Sequence, residues 1–164
     1  MAELTDRHTL FFSRLSGMNT GTYVLILLLD HPRMIRIGKL GSFVFPAGYY
    51  AYIGSAFGPG GLSARIQRHF NTEKNFHWHI DYLRQYTTPL EVWISQEKKK
   101  REHEWASLME DHFDSSLPVP EFGCSDCTCT SHLFLFDNQP SFQMFTKANK
   151  RLFPTSASLV RLRL

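Results

Sequence analysis

Apolar and polar positions along the chain alternate between short β-patterned runs and longer stretches of helical spacing. Tyr23 to Asp30 is β-rich and continuously apolar, which predicts a buried strand. Asp30-His31-Pro32-Arg33 is a turn signal, and Met34 to Ile37 alternates apolar with basic residues, as a more exposed strand would. Gly38-Lys39-Leu40-Gly41 turns the chain again. Val44-Phe45-Pro46-Ala47-Gly48 then leads into a third strand, Tyr49 to Gly54. Gly58-Pro59-Gly60-Gly61 suits neither helix nor sheet interior, whereas Leu62, Ile66 and Phe70 fall on one helical face. His77 to Tyr86 reads as a second helix with Ile80 and Leu83 inward, and Leu90 to Ser95 alternates as a strand after Pro89.

Glu97 to Phe113 is the clearest helix, with Trp105, Leu108, Met109 and Phe113 as its inward stripe. Lys98-Lys99-Lys100-Arg101 at its start opposes the helix dipole, at a cost of roughly 1 kcal/mol at most. That run predicts a solvated loop ahead of the helix rather than a phosphate site. Pro118 and Pro120 break the chain, and Leu133 to Phe136 with Phe142 to Phe145 read as a hairpin around Asn138-Gln139-Pro140. Residues 1–20 form a polar lead-in with a short amphipathic turn around Leu10 to Leu15. The resulting order is β-β-β-α-α-β-α followed by a β-rich tail, an α+β fold.

A length of 164 residues predicts one domain, residues 1–164, large enough to bury a core. The 43% hydrophobic and 14% aromatic fractions exclude a disordered chain. A net charge of +3 permits a nucleic-acid ligand without requiring one. The longest apolar run, Tyr23 to Leu29, is too short to span a bilayer, so no membrane association is expected. Met1 to Arg7 carries two acids and no apolar core, unlike a signal peptide. Three cysteines lie within Cys124 to Cys129, too close for a useful structural crosslink. They suggest a reducing cytoplasm, with metal-binding or free thiols.

Five polar side chains carry candidate chemistry. Arg65 and His69 are four apart on a predicted helix and share a face. Arg65 offers a bidentate fork for a phosphate, and His69 can bond a phosphate or orient a tyrosine or a water. Tyr23 and Tyr52 can approach one another if their strands are neighbours; a phenol with pKa near 10 needs a cation or metal beside it to act as a base. Glu102 is a hard-oxygen ligand suited to Mg²⁺. Taken singly, each has an ordinary role, as core tyrosine or solvated charge. Together they supply what phosphodiester hydrolysis needs: an activated water, positive charge on phosphate oxygens and a proton for the leaving oxygen.

Cys124, Cys127, Cys129 and His132 place four soft-to-borderline ligands in nine residues, a set that structural zinc favours. Binding all four to one Zn²⁺ requires a tightly curled loop, and His77 or His79 could supply a ligand instead. The alternative is a turn of small buried residues with His132 as a cap.

Gly21-Thr22-Tyr23, Tyr52-Ile53-Gly54, Arg65 with His69, and Glu102 together resemble the GIY-YIG nuclease superfamily. The string from Tyr52 through Ser55-Ala56-Phe57-Gly58-Pro59-Gly60-Gly61 to Leu62 resembles its Uri branch of small stand-alone endonucleases. So do His77 to Asp81 and Ser125 to Leu133. The likeness covers about residues 20–136. It implies a small, mainly antiparallel sheet of three main strands flanked by helices, and cleavage of DNA dependent on Mg²⁺ or Mn²⁺. By the same likeness Tyr52 activates water and Tyr23 supports that water or the metal. Arg65 contacts the scissile phosphate with His69 one turn on, and Glu102 binds the metal. Glu104 is its near neighbour, but Glu102 stands three residues before Trp105 and leaves the apolar stripe facing inward. Gly54, Ser55, Gly60 and Gly61 are the matching substrate-binding positions.

The chain departs from the superfamily pattern in four ways. Thr22 replaces an isoleucine at a packing position. The long stretch from Tyr23 to Tyr52 must hold an extra strand pair. Gly58 to Gly61 lengthens the path to Arg65, and neither Asn138 nor Asn149 matches the asparagine many members carry. No separate recognition domain is visible, so specificity is expected to be modest or supplied by a protein partner. The oligomeric state is left open. Two other classes compete: a nucleic-acid-binding module that has lost catalysis, and a zinc-stabilised interaction module on the same fold.

Overall fold

Strand β1 (Gly21–Leu29) is buried along nearly its whole length because its side chains serve two cores, one on each face of a sheet. Tyr23, Leu25 and Leu27 point to one side, and Val24 and Ile26 to the other. A strand covered on both faces needs a continuous apolar run, which is the pattern read in the sequence. The computed structural model describes residues 2–71 and 73–164; Met1, at the head of the polar lead-in, and Thr72 lie outside them.

Antiparallel partners flank β1 on both sides. Strand β4 (Gly48–Ala56) pairs in one unbroken register, and β5 (Thr88–Gln96) pairs with a bulge between Ile26 and Leu27. Between β1 and β4 the chain makes a separate two-stranded sheet from β2 (Arg33–Ile37) and β3 (Gly41–Phe45). This is the expected extra strand pair, with Gly41 to Phe45 a full strand rather than a lead-in. On the first face lie α1 (Ala2–Leu15), α2 (Gly61–Phe70) and α3 (His79–Arg84). On the second lie α4 (Glu102–His112) and α5 (Phe142–Leu152). The class is α+β, as expected.

Three expectations need correction. The main sheet has five strands, in the order β6-β4-β1-β5-β7, where three were expected. The additions are β6 (Leu133–Phe136) on β4 and β7 (Leu159–Arg163) on β5, and both are antiparallel. The expected hairpin after residue 133 is half strand and half helix. Ser141 Oγ accepts the Met144 N–H at 3.3 Å and starts α5, whose Phe145 then packs 5.2 Å from both Trp93 and Trp105. The tail is therefore β-α-β rather than β-rich. The lead-in is a full helix whose Phe11 and Phe12 rings meet Phe70 of α2.

Helix α4 starts at Glu102, so Lys98 to Lys100 are an exposed loop, as the charge pattern predicts. Arg101 is different: it is buried and pairs with Glu97 at 2.7 Å and Glu104 at 2.6 Å. Among the described residues, no helix is long and apolar enough to cross a membrane.

Asp81 holds the first face together. Fully buried, it accepts the N–H groups of His77 and Trp78 at 2.9 and 3.0 Å and pairs with Arg68 at 2.9 Å and Lys74 at 2.7 Å. Burial alone would raise its pKa, but the Lys74 bond and the two backbone donors outweigh that and hold it below the usual carboxylate range. We expect Asp81→Ala to destabilise the protein by about 3–5 kcal/mol, because two cations lose their partner in a buried setting. With a depressed folded pKa, the stabilisation by Asp81 is complete above about pH 4 and disappears as pH falls through the folded value. Urea midpoints measured down the acid range should therefore fall more steeply in the parent than in Asp81→Asn.

Candidate active site

The β1–β4 register sets Tyr23 opposite Gly54 and Leu25 opposite Tyr52. Both phenols therefore leave the same face, diagonally placed on neighbouring strands. Glycine at position 54 is what allows this: a Cβ there would overlap the Tyr23 phenol. Helix α2 crosses the same face. Its entry is bent by Gly60 and Gly61, at φ 79° and 56°, and a Cβ on Gly61 would sit 2.6 Å from the Asn19 carbonyl oxygen.

From α2, Arg65 and His69 descend on one side, as their spacing requires. His69 is 2% exposed, and its Nε2 lies 2.7 Å from the Tyr23 hydroxyl. Burial, then Lys74, lowers its pKa to about 3, so the ring is neutral. Its Nδ1 is buried and has no hydrogen-bond partner among the described residues. A bare acceptor is tolerated there better than a stranded N–H, so we assign the proton to Nε2, donating to the Tyr23 oxygen. The Tyr23 proton is then free to point away from His69. Burial, then the neighbouring Tyr52, raises the Tyr23 pKa well above its ordinary value. Tyr52 is raised as well, chiefly by burial; the Arg65 charge opposes the rise and the Glu102 charge adds to it.

Arg65 donates from Nε to the Ser55 carbonyl at 3.1 Å and lies over the Trp78 ring at 4.0 Å, with Arg68 on that ring at 4.4 Å. Among the described residues its terminal guanidinium nitrogens make no hydrogen bond. Glu102 opens α4, whose start is docked onto β1 by the Arg101 N–H donating 3.0 Å to the Thr22 hydroxyl. Thr22 therefore does more than fill space at its motif position. The carboxylate of Glu102 makes one ion pair among the described residues, at 3.8 Å to His103. Glu104, by contrast, is held by Lys99 and Arg101.

These groups share one cavity of about 490 Å³. Tyr23, Tyr52, Gly54, Ser55, Arg65 and Glu102 all line it. His69 lies beneath, behind Tyr23. Gly60 and Gly61 shape the entry of α2 rather than the wall. Trp78, Lys100 and Asp126 also line the cavity. Trp78 and Asp126 fall within segments that carry the resemblance but had no role assigned to them, and Lys100 belongs to the basic run read as a solvated loop rather than a phosphate site.

The cysteine segment forms the far side. His103 Nδ1 lies 3.0 Å from Cys129 Sγ, and Cys127 Sγ lies 3.5 Å from His132 Nε2. All four ligand atoms fall within 4.8 Å of one another, a group that could hold a metal ion. Cys124 is not in this group: it is buried and donates to the Phe122 carbonyl at 3.5 Å. His103, from α4, stands in its place. Its distance in sequence from the cysteines hid it. Neither His77 nor His79 joins the group; His79 Nδ1 accepts the Gly123 N–H at 3.0 Å.

A family model described as "Domain of unknown function DUF123" matches residues 22–153. The chain belongs to the DUF123 family. That span runs from β1 through α5, so it contains the cavity and the His/Cys group and omits α1 and β7. No curated protein and no solved structure matches significantly. DUF123 membership therefore supplies kinship without an activity.

The buried link from Thr22 to Arg101 gives a direct test of how α4 is seated. Thr22→Val keeps the shape and strands the Arg101 N–H, which should cost about 1–3 kcal/mol. Urea denaturation of the two proteins should show that loss, while Thr22→Ser should recover most of it.

Proposed function

We propose that this protein is a DNA endonuclease, a hydrolase that cuts phosphodiester bonds with the help of Mg²⁺ or Mn²⁺. One observation carries the reading: two phenols, a guanidinium whose terminal nitrogens make no hydrogen bond among the described residues and a carboxylate with no lysine or arginine paired to it there face one polar cavity. The resemblance to the GIY-YIG superfamily and its Uri branch, carried by Gly21-Thr22-Tyr23, Tyr52-Ile53-Gly54, Arg65 and Glu102, supports it.

Each residue has a definite part. Arg65, stacked on Trp78 and anchored at Ser55, presents its two outer nitrogens to a non-bridging phosphate pair. Lys100, on the cavity wall, adds positive charge for a bound phosphate. The Tyr52 oxygen lines up the attacking water. Burial keeps its own proton in place, so it takes the water's proton only when a further positive charge lies beside it. Tyr23, its oxygen bonded to His69, turns its proton toward the cavity and fixes the water from the other side. His69 is thus a positioning residue acting through Tyr23.

The residues fit a hard divalent ion: magnesium is commonly held by one or two carboxylates with substrate phosphate and water completing its shell, and Glu102 lines the cavity with no lysine or arginine paired to it among the described residues. When bound, such an ion supplies charge stabilisation at the phosphate and a more acidic water. Three free thiols suit a reducing cytoplasm. A protein partner would set any strict sequence preference.

The test is a panel of supercoiled, duplex, branched and single-stranded DNA, incubated with Mg²⁺, Mn²⁺ or chelator. Parent protein should nick at least one of them. Glu102→Ala should lose about 100-fold or more in rate with circular dichroism unchanged, and Tyr52→Phe most of the activity. Undiminished cleavage by Glu102→Ala would remove that carboxylate from the site. Tight DNA retention with no cleavage by the parent would favour the binding module instead.

A further inference from the structure

The His/Cys group beside the cavity has a chemistry the nuclease reading does not use. We propose that His103, Cys127, Cys129 and His132 form a tetrahedral zinc centre that ties the irregular segment 119–132 to the first turn of α4.

The donor set comes first. Two thiols and two imidazoles select zinc over the hard cations that carboxylate sites prefer, and two thiolates neutralise its charge. The spacing agrees. Zinc with ordinary Zn–S and Zn–N bonds would hold sulfur and nitrogen about 3.6 Å apart in a tetrahedron. Two of the four sulfur–nitrogen pairs stand at 3.0 and 3.5 Å, and all four donors lie mutually within 4.8 Å. Small adjustments would seat the ion. Binding displaces one proton from each thiol to solvent, so two protons leave per zinc.

Local structure supplies the second argument. Residues 119–132 hold no helix or strand. Their backbone is fastened mainly by Glu121 N to Thr130 O and His132 N to Phe122 O, both at 2.8 Å, while Cys127 N to Cys124 O is a loose 3.5 Å. Buried Val119 and Phe122 anchor the start of the segment, and a closed four-ligand site would fasten the turns around Cys127 and Cys129 that have few regular bonds of their own.

The position gives the centre a consequence. His132 lines the Tyr52 cavity, and its carbonyl accepts the Ile53 N–H at 2.9 Å, one residue from Tyr52. His103 follows Glu102 directly and turns its Nε2 to within 3.8 Å of that carboxylate, while Nδ1 faces Cys129. A metal on Nδ1 would orient the ring and, through it, the side chain that the nuclease reading assigns to the divalent ion. The zinc centre stands on its own geometry; only its effect on cleavage rests on that reading.

The experiment uses the full chain, purified reduced and without chelator. Elemental analysis should find one zinc per chain. Titrating stripped protein with Co²⁺ should produce the visible bands of tetrahedral cobalt with thiolate charge transfer. His103 has a half-exposed side chain, so His103→Ala should keep the fold by circular dichroism. It should weaken zinc binding by more than the roughly 10–100-fold typical of outer-shell changes. Cys129→Ser should lose the cobalt charge-transfer intensity of one thiolate, and Cys124→Ser should bind as the parent does. Glu102→Ala should retain its zinc, and zinc bound by a parent protein that cleaves none of the DNA panel would overturn the nuclease reading and leave the centre standing. No zinc and no cobalt bands in the reduced parent overturn the proposal. So does unchanged zinc affinity in His103→Ala, or zinc lost from Cys124→Ser alone.

Discussion

Antiparallel pairing between β1 and β4 is the constraint from which the site follows. Because neighbouring side chains on a strand face opposite ways, the register that sets Tyr23 against Gly54 also sends Tyr52 out of the same face, one diagonal step away. A slip of one residue would turn one phenol into the second core, among Trp93 and Trp105. The register is held by burial on both faces: Val24, Ile26, Ala51 and Ile53 have a full core of their own on the far side. Hydrophobic packing that never touches the cavity therefore decides what the cavity contains.

The polar groups are arranged by a second, electrostatic framework. Asp81 gathers Arg68 and Lys74 and caps the start of α3, which leaves Arg65 alone on its turn of α2 with Trp78 beneath it. Arg101 does the same on the other side, gathering Glu97 and Glu104 and leaving Glu102 between them with no lysine or arginine partner among the described residues. Two ion-pair networks, each centred on a buried side chain, thus absorb the surrounding charge, and the side chains lining the cavity are the ones those networks do not use.

Much of this was legible in the residues. The continuous apolar run at 23–29, the four-residue step from Arg65 to His69 and the stripe through Trp105 report strand and helix faces directly, and those faces point where the structure has them. The edges were not legible. β7 is short, and its alternation of leucine and valine with arginine could belong to any exposed segment. The mistaken hairpin after residue 133 has a physical cause: Phe142 and Phe145 suit a strand as well as a helix, and only the Ser141 cap and the aromatic pocket of Trp93 and Trp105 decide between them. His103 was hidden for a different reason. Its partners lie more than twenty positions away, and no local pattern reports a contact made by a returning loop.

The space occupied by the Tyr23 ring has an evolutionary corollary. That ring rests where any side chain at position 54 would have to begin, so the two positions are not free to vary apart. A lineage that gains bulk at 54 must displace or surrender the phenol at 23, and with it the hydroxyl that reaches His69. Among descendants of this chain, glycine and tyrosine at these two sites should persist or disappear as a pair.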